Sequence, residues 1–187
     1  MATDDHRSGK RDHEETYFRK QDQELIERMR RAASAEAARR EIGEQTGLQD
    51  PELLKDIEQL GFTADTVALL PLIPLVEVAW AEGGVSGPER TALVDFARRR
   101  GIAAGSAAAD QLREWLGSRP SAALFSKANR LTGAILAAHG AGDLTADDLV
   151  KQCEAIAAAS GVVLGIGKVS AEERTALAQI AAALKSR

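Results

Sequence analysis

A nine-residue stretch that decides the fold occurs twice, as VSGPERTAL at residues 85–93 and as VSAEERTAL at residues 169–177. Seven of the nine positions are identical, and the offset is 84 residues. In both copies a serine stands three residues before a glutamate. This is the pattern of a capping box, in which each side chain accepts a hydrogen bond from the other residue's free backbone N–H. Each copy therefore predicts the start of an α-helix, at Ser86 and at Ser170.

The residues before each copy extend the similarity. An apolar helix and a glycine-containing turn precede both, with EGG at residues 82–84 and IGK at residues 166–168. The same helix–turn–helix unit thus occurs twice, and two such units can bury their apolar faces against each other. Because helices in general use capping boxes, this internal duplication supports an architecture more than a chemistry.

Helix start and stop signals mark most of the remaining chain. Asp50-Pro51 opens a short helix that Gly61 ends. Thr63 is a candidate cap for the next helix, which extends to about residue 81 and in which Pro71 and Pro74 predict a kink or a break. Alternating apolar runs and Asn-Gly hairpin signals are absent. The sequence therefore predicts an all-α fold.

The N-terminal part of the chain differs from the rest. Residues 13–46 predict one long, highly charged helix with a narrow apolar seam. Phe18, Leu25 and Met29 form the seam, and two alanines continue it. A stripe this thin cannot bury much area alone.

We therefore interpret residues 1–47 as a charged helical extension and residues 48–187 as a helical domain. The expected fold is a helical bundle with an internally duplicated helix–turn–helix unit and a long N-terminal helix. That helix pairs with a protein partner or with a second copy of the chain, as in a homo-oligomer. The alternative is a solvated helix that lies loosely on the domain.

Composition narrows the class of protein. The 187 residues are 44% hydrophobic and 28% charged, which suits one compact domain with an appendage or two small domains. A net charge of −4 gives no reason to expect nucleic-acid binding. Cys153 is the only cysteine, which excludes an internal disulfide.

The most apolar stretch, residues 67–81, is shorter than the roughly 20 residues of a membrane-spanning helix. We expect a cytoplasmic protein without a transmembrane segment.

The first turn and its flanks, VAWAEGGVS at residues 78–86 together with Glu89, resemble the TerB-like tellurite-resistance family. That family has an apolar helix, an acidic residue and glycine, an aliphatic residue, and a Ser-x-x-Glu helix start. The resemblance covers about residues 64–187, including the degenerate second copy, so we interpret residues 48–187 as a TerB-like helical domain. It implies an all-helical bundle, a non-enzymatic role in a bacterial stress response or tellurite resistance, and divalent-cation binding at acidic turns.

The acidic turns depart from the family pattern. Glu82 stands where the family has aspartate, and Ile166 takes that place in the second copy. Calcium takes six to eight oxygen ligands, so Glu82, Glu89 and a few carbonyls would form only a weak, hydrated site. The alternative is that Glu89 is a helix cap and Glu82 a surface carboxylate. No other cofactor is expected.

A shorter segment, EETYFR at residues 14–19, resembles the inhibitory segment of the mitochondrial ATPase inhibitor protein. Members of that family insert a helix into a catalytic interface of the rotary ATPase. This sequence departs from the family pattern because it does not contain the family's long coiled-coil tail. Aromatic anchors supply much of the energy when a helix binds in a groove. Tyr17 and Phe18 are such a pair, unless they fold back onto the bundle. The candidate partner-binding residues are Glu14, Glu15, Tyr17, Phe18, Arg19, Leu25 and Met29.

These patterns lead to one functional expectation and two alternatives. No nucleophile, general base or cofactor loop is recognisable, so we expect a protein that is not an enzyme. The leading hypothesis is a TerB-like interaction and stress-response protein whose N-terminal helix binds a protein partner. The alternatives are an inhibitor or regulator of the rotary ATPase acting through the same helix, and a weak divalent-cation sensor.

Overall fold

The computed structural model describes the backbone of residues 5–139, 144–161 and 169–185. Side chains are described for residues 17, 19–137, 144–159 and 169–185. Within these ranges the chain forms α-helices and one 3₁₀ helix, with no β-strand, which confirms the all-α prediction and the long N-terminal helix. The elements are α1 (Asp5–Thr46), α2 (Pro51–Gln59), the 3₁₀ helix (Val67–Leu72), α3 (Ile73–Ala79), α4 (Gly87–Arg99), α5 (Ala107–Gly117), α6 (Ala122–His139), α7 (Ala146–Gly161) and α8 (Ala171–Lys185).

Local signals place the ends of the short helices where they were expected. The carboxylate of Asp50 accepts hydrogen bonds from the backbone N–H groups of Glu52 (2.9 Å) and Leu53 (3.3 Å), which caps α2. Gly61 and Gly101 follow α2 and α4 with φ angles of 85°. Glycine adopts this left-handed conformation without a Cβ clash, so both helices end there.

The segment between α2 and α4 departs from the expectation of one helix beginning at Thr63. Thr63 does not cap a helix, because the 3₁₀ helix begins only at Val67 and the Thr63 hydroxyl pairs with the hydroxyl of Thr66 (3.2 Å) instead of accepting from a backbone N–H at a helix start. Pro71 lies inside the 3₁₀ helix and Pro74 in the first turn of α3. Since proline has no N–H to donate, the continuous α-helix is broken between them. The predicted break is present, and the predicted cap at Thr63 is wrong.

Helix α3 lies at the centre of the bundle. It packs against α4, α6, α7, α8 and the 3₁₀ helix, and most of its side chains are buried. Helix α7 packs against α3, α4 and α8, so the α3–α4 and α7–α8 units bury their apolar faces against each other. The turn that joins α7 to α8, residues 162–168, lies outside the described residues. The two units form one core, to which α2, α5, α6 and the end of α1 also contribute.

Two single side chains show how the core is packed. Cys153 on α7 is fully buried, and burial raises the pKa of its thiol far above the usual range. A thiol that stays protonated is a poor nucleophile, so Cys153 acts as a small apolar residue. The indole N–H of Trp80 donates to the carbonyl of Trp115 (2.8 Å), which ties α3 to α5. None of the described helices combines the length and apolar character needed to cross a membrane.

Candidate functional site

The exposed surface of α1 is the first candidate site. Every described side chain from residue 17 to residue 34 is exposed to solvent. The large apolar ones are Tyr17 (61% exposed), Leu25 (50%), Ile26 (48%) and Met29 (63%). We call Leu25, Ile26 and Met29 the α1 seam. Ile26 was not among the residues chosen from sequence, although its spacing of three residues from Met29 places both on neighbouring positions of one helix face.

The segment that resembles the ATPase inhibitor is only partly described. The side chains of Glu14, Glu15 and Phe18 lie outside the described residues. Tyr17 and Arg19 are described, and both are exposed on α1. Of the two residues in the predicted aromatic pair, the structure therefore places only Tyr17 on the surface.

The last turns of α1 are built differently from the seam. Ile42 is fully buried and joins the core, and α1 packs there against α2 and the 3₁₀ helix. A guanidinium N–H of Arg39 donates to the carboxylate of Glu58 on α2 (3.2 Å), and both side chains are half-buried. Residues that sequence reasoning placed in the extension thus belong to the core of the domain.

The seam and the docked part of α1 face different directions. An α-helix turns by about 100° per residue. From Met29 to Ile42 this amounts to a rotation of about 140°, from Ile26 to Ile42 to about 160°, and from Leu25 to Ile42 to about 100°. Because Ile42 points into the domain, Ile26 and Met29 point away from the side of α1 that the domain covers, and Leu25 points sideways.

The two capping glutamates form the second candidate site. Both predicted capping boxes are present. The backbone N–H of Ser86 donates to Glu89 and that of Ser170 to Glu173, each at 2.7 Å. The returning bonds, from the glutamate N–H groups to the serine hydroxyls, measure 3.4 Å and 3.1 Å. Only 3% of Glu89 and 1% of Glu173 is exposed. Carboxylates that usually cap helices at the surface are here buried inside the bundle.

The packing of the two units brings these carboxylates close enough to interact. Burial raises the pKa of Glu89, the hydrogen bonds from Ser86 oppose this shift, and repulsion from Glu173 and Glu82 adds to it. Glu82 itself is exposed in the turn before α4. Sequence reasoning named Glu82 and Glu89 but missed Glu173, although the repeat places it at the equivalent position.

A metal site at these residues remains a prediction. Among the residues that the structure describes, no three histidine, cysteine, aspartate or glutamate side chains converge as a metal centre would require. The Glu89 carboxylate is already engaged as a cap. The arrangement therefore favours a structural role for Glu89 and leaves Glu82 as an exposed carboxylate.

We predict that Glu89 makes stability fall as the pH rises above 4.5. Its pKa is raised above the ordinary value of 4.5, so the folded chain holds this proton to a higher pH than the unfolded chain. The stabilising contribution is complete below about pH 4.5 and is lost as the pH rises through the folded pKa. Glu77, whose pKa burial also raises, acts in the same direction.

Urea unfolding between pH 4.5 and pH 7 measures this effect. In Glu89→Gln, which keeps an oxygen to accept the Ser86 N–H, the decline with pH is expected to be shallower than in the native chain. Glu52→Gln, an exposed acid in the first turn of α2, is the matched control and should leave the decline unchanged. Equal slopes for the native chain and Glu89→Gln would contradict the buried position of Glu89.

Comparison of the chain with protein-family models, with curated proteins and with solved structures gives no match. The resemblances to the TerB-like family and to the ATPase inhibitor protein therefore stay predictions.

Proposed function

We propose that this chain is a non-catalytic interaction protein whose N-terminal helix binds a protein partner. The observation that carries the proposal is the exposed seam of Leu25, Ile26 and Met29, on a side of α1 that the domain does not cover. Single exposed apolar residues are common on proteins. Three within one and a half turns of a helix form a continuous patch, of the kind that a partner's groove covers in helix recognition.

The charges beside the seam indicate the chemistry of the partner. Arg28 and Arg30 lie about 100° to either side of Met29, so a guanidinium borders the seam on each edge. A complementary groove has an apolar floor and carboxylates along its rim.

The two resemblances suggest where such a partner acts. The TerB-like resemblance suggests a bacterial stress response or tellurite resistance. The ATPase-inhibitor resemblance suggests a catalytic interface of the rotary ATPase, with Tyr17 and Arg19 among the contacting residues. The exposed position of Tyr17 on α1 is compatible with such a contact. A cytoplasmic location belongs to the same proposal.

Substitution of the seam tests the proposal. In Leu25→Asp/Met29→Asp, capture of partners from the native host's lysate is expected to fall at least tenfold, because both charges enter the buried part of the interface. Mass spectrometry identifies the captured proteins, and rotary-ATPase subunits among them would establish the ATPase alternative. The thermal midpoint of the variant should stay close to that of the native chain, since both residues are exposed in the free protein.

The control variant is Lys20→Gln/Arg31→Gln, which changes the net charge by the same two units on the opposite side of the same exposed helix. It should capture the same proteins as the native chain. If the seam variant captures them equally well, the domain and not α1 is the binding surface. Light scattering of the native chain shows whether the seam instead binds a second copy.

A further inference from the structure

Helices α4 and α5 and the loop that joins them flank a cavity of about 400 Å³, which we call the α4–α5 cavity. Its size lies within the range of small-molecule sites. The apolar part of its wall is aliphatic, with no aromatic ring among the described residues. Val94 on α4 and Ala109 on α5 are only half-buried, so they keep apolar surface that a ligand can cover. The apolar wall residues are Val94, Ala97, Ile102, Ala104, Ala109, Leu112 and Leu116.

The charged residues in the described wall of this cavity are all arginines, namely Arg90, Arg98 and Arg113. Arg98 and Arg113 each pair with an aspartate of their own helix, at 3.8 Å and 2.7 Å between guanidinium nitrogen and carboxylate oxygen. These side chains are exposed, and such pairs contribute little in water. Neither aspartate lines the cavity. The wall therefore favours an anion over a cation.

Arg90 is held at this wall by a hydrogen bond to a second helix. It is half-buried, and its guanidinium donates to the carbonyl of Leu116 near the end of α5 (2.7 Å). No carboxylate of the described residues pairs with Arg90, so its charge is not neutralised there. A guanidinium has several N–H donors, and those that Leu116 does not use can bind a carboxylate through charge-assisted hydrogen bonds.

The second copy of the repeat shows that this placement is not a requirement of the motif. Arg174 stands at the position equivalent to Arg90, 84 residues later. It is exposed, and its Nε–H donates to the carbonyl of Ser170 at the start of its own helix (3.2 Å). An arginine at this place in the motif can thus lie at the surface, so the bond from Arg90 to a second helix is a feature of the first copy.

We propose that the α4–α5 cavity binds an aliphatic carboxylate such as a medium-chain fatty acid. The carboxylate would bind the Arg90 guanidinium, and the exposed Arg98 and Arg113 would add positive potential around it. The alkyl chain would cover Val94 and Ala109 and remove their apolar surface from water. This assignment is independent of partner binding by α1.

Titration of the ¹⁵N-labelled full chain with sodium octanoate tests the site. We expect saturable NMR shifts at the backbone amides of Val94 and Ala109 and at the Arg90 Nε–H, with a Kd of about 1 mM or below. Sodium acetate carries the charge without the chain, and octylammonium chloride carries the chain with the opposite charge. Both are expected to bind at least tenfold more weakly, because each lacks one of the two contacts.

The proposal fails on any of four results. Octanoate without saturable shifts at these positions excludes the site. Acetate of equal affinity shows an unspecific anion surface, and octylammonium of equal affinity shows that the arginine charge has no part in binding. If the same amides shift when the protein is concentrated without ligand, a second copy of the chain covers the cavity.

Substitutions at Arg90 and Arg174 provide a matched pair. Arg90→Gln removes the charge and keeps an N–H donor for the Leu116 carbonyl, and it is expected to weaken octanoate binding at least tenfold. Arg174→Gln makes the same change at the exposed, equivalent position outside this cavity, and its affinity should match that of the native chain. Equal weakening by both variants would assign the effect to net charge and overturn the proposal.

A second wall variant covers the case in which Arg90→Gln does not fold. Ala104→Glu adds a carboxylate at an exposed position of the cavity wall, so it leaves the core intact and should also weaken octanoate binding, through repulsion of the like charge. If every wall variant that folds keeps the native affinity, the α4–α5 cavity is not the binding site.

Discussion

Replacement of Gly133 by valine is expected to lower the free energy of unfolding by about 3 kcal/mol, the upper part of the usual range for overpacking. Gly133 lies on α6 where this helix meets α8. A Cβ at this position would lie 2.8 Å from the carbonyl oxygens of Ala183 and Leu184, and 2.9 Å from the Leu184 Cα. All three are backbone atoms, so no rotation of a side chain relieves the clash and α8 must shift.

Urea unfolding followed by circular dichroism measures this effect. The control is Gly117→Ala at the end of α5, where an added Cβ meets no atom within 4 Å. Because alanine favours a helix over glycine by up to about 1 kcal/mol, Gly117→Ala should be neutral or slightly stabilising. If Gly133→Val is as stable as the native chain, α6 and α8 do not approach each other closely in solution.

The contact at Gly133 also illustrates which parts of the fold could be predicted. Helix starts such as Ser86 and Ser170 are local, because a serine and a glutamate three residues apart carry the whole capping interaction. The failure at Thr63 has a local cause too, since a threonine can begin a turn as well as a helix. Close packing at Gly133 depends on α8, some fifty residues later, and no pattern around Gly133 indicates it.

The candidate sites also divide into those formed within one helix, which can be predicted, and those formed between helices, which cannot. Leu25 and Met29 of the α1 seam could be predicted because they share one helix and their spacing shows in the sequence, whereas Ile26 was missed. The approach of Glu89 to Glu173 and the pairing of Glu77 with Asn129 join residues on different helices. Each of these side chains, taken alone on a helix, has the character of a surface residue. Packing of the α3–α4 unit against the α7–α8 unit brings Glu89 near Glu173, and packing of α6 against α3 brings Asn129 to Glu77, so composition and periodicity do not indicate either contact.

Replacement of Ile42 by alanine is expected to destabilise the chain by about 3 kcal/mol, within the range for large apolar residues removed from a core. Ile42 is fully buried near the end of α1. Met29 lies on the same helix and is 63% exposed, so Met29→Ala should change the free energy of unfolding by no more than about 0.5 kcal/mol. Ile42 and Met29 are both large apolar residues of α1, and the two variants compare one that the domain covers with one that is exposed.

The same contrast decides how α1 is to be removed in binding experiments. Deletion of residues 1–34 takes away only exposed side chains of the described part of α1 and should leave the urea midpoint nearly unchanged. Deletion of residues 1–47 also removes Ile42 and uncovers the core beneath it, so lost binding could then reflect lost folding. If Ile42→Ala and Met29→Ala are equally mild, the end of α1 is not docked in solution. The orientation that turns Ile26 and Met29 away from the domain then has no anchor, and the proposal of an external partner fails.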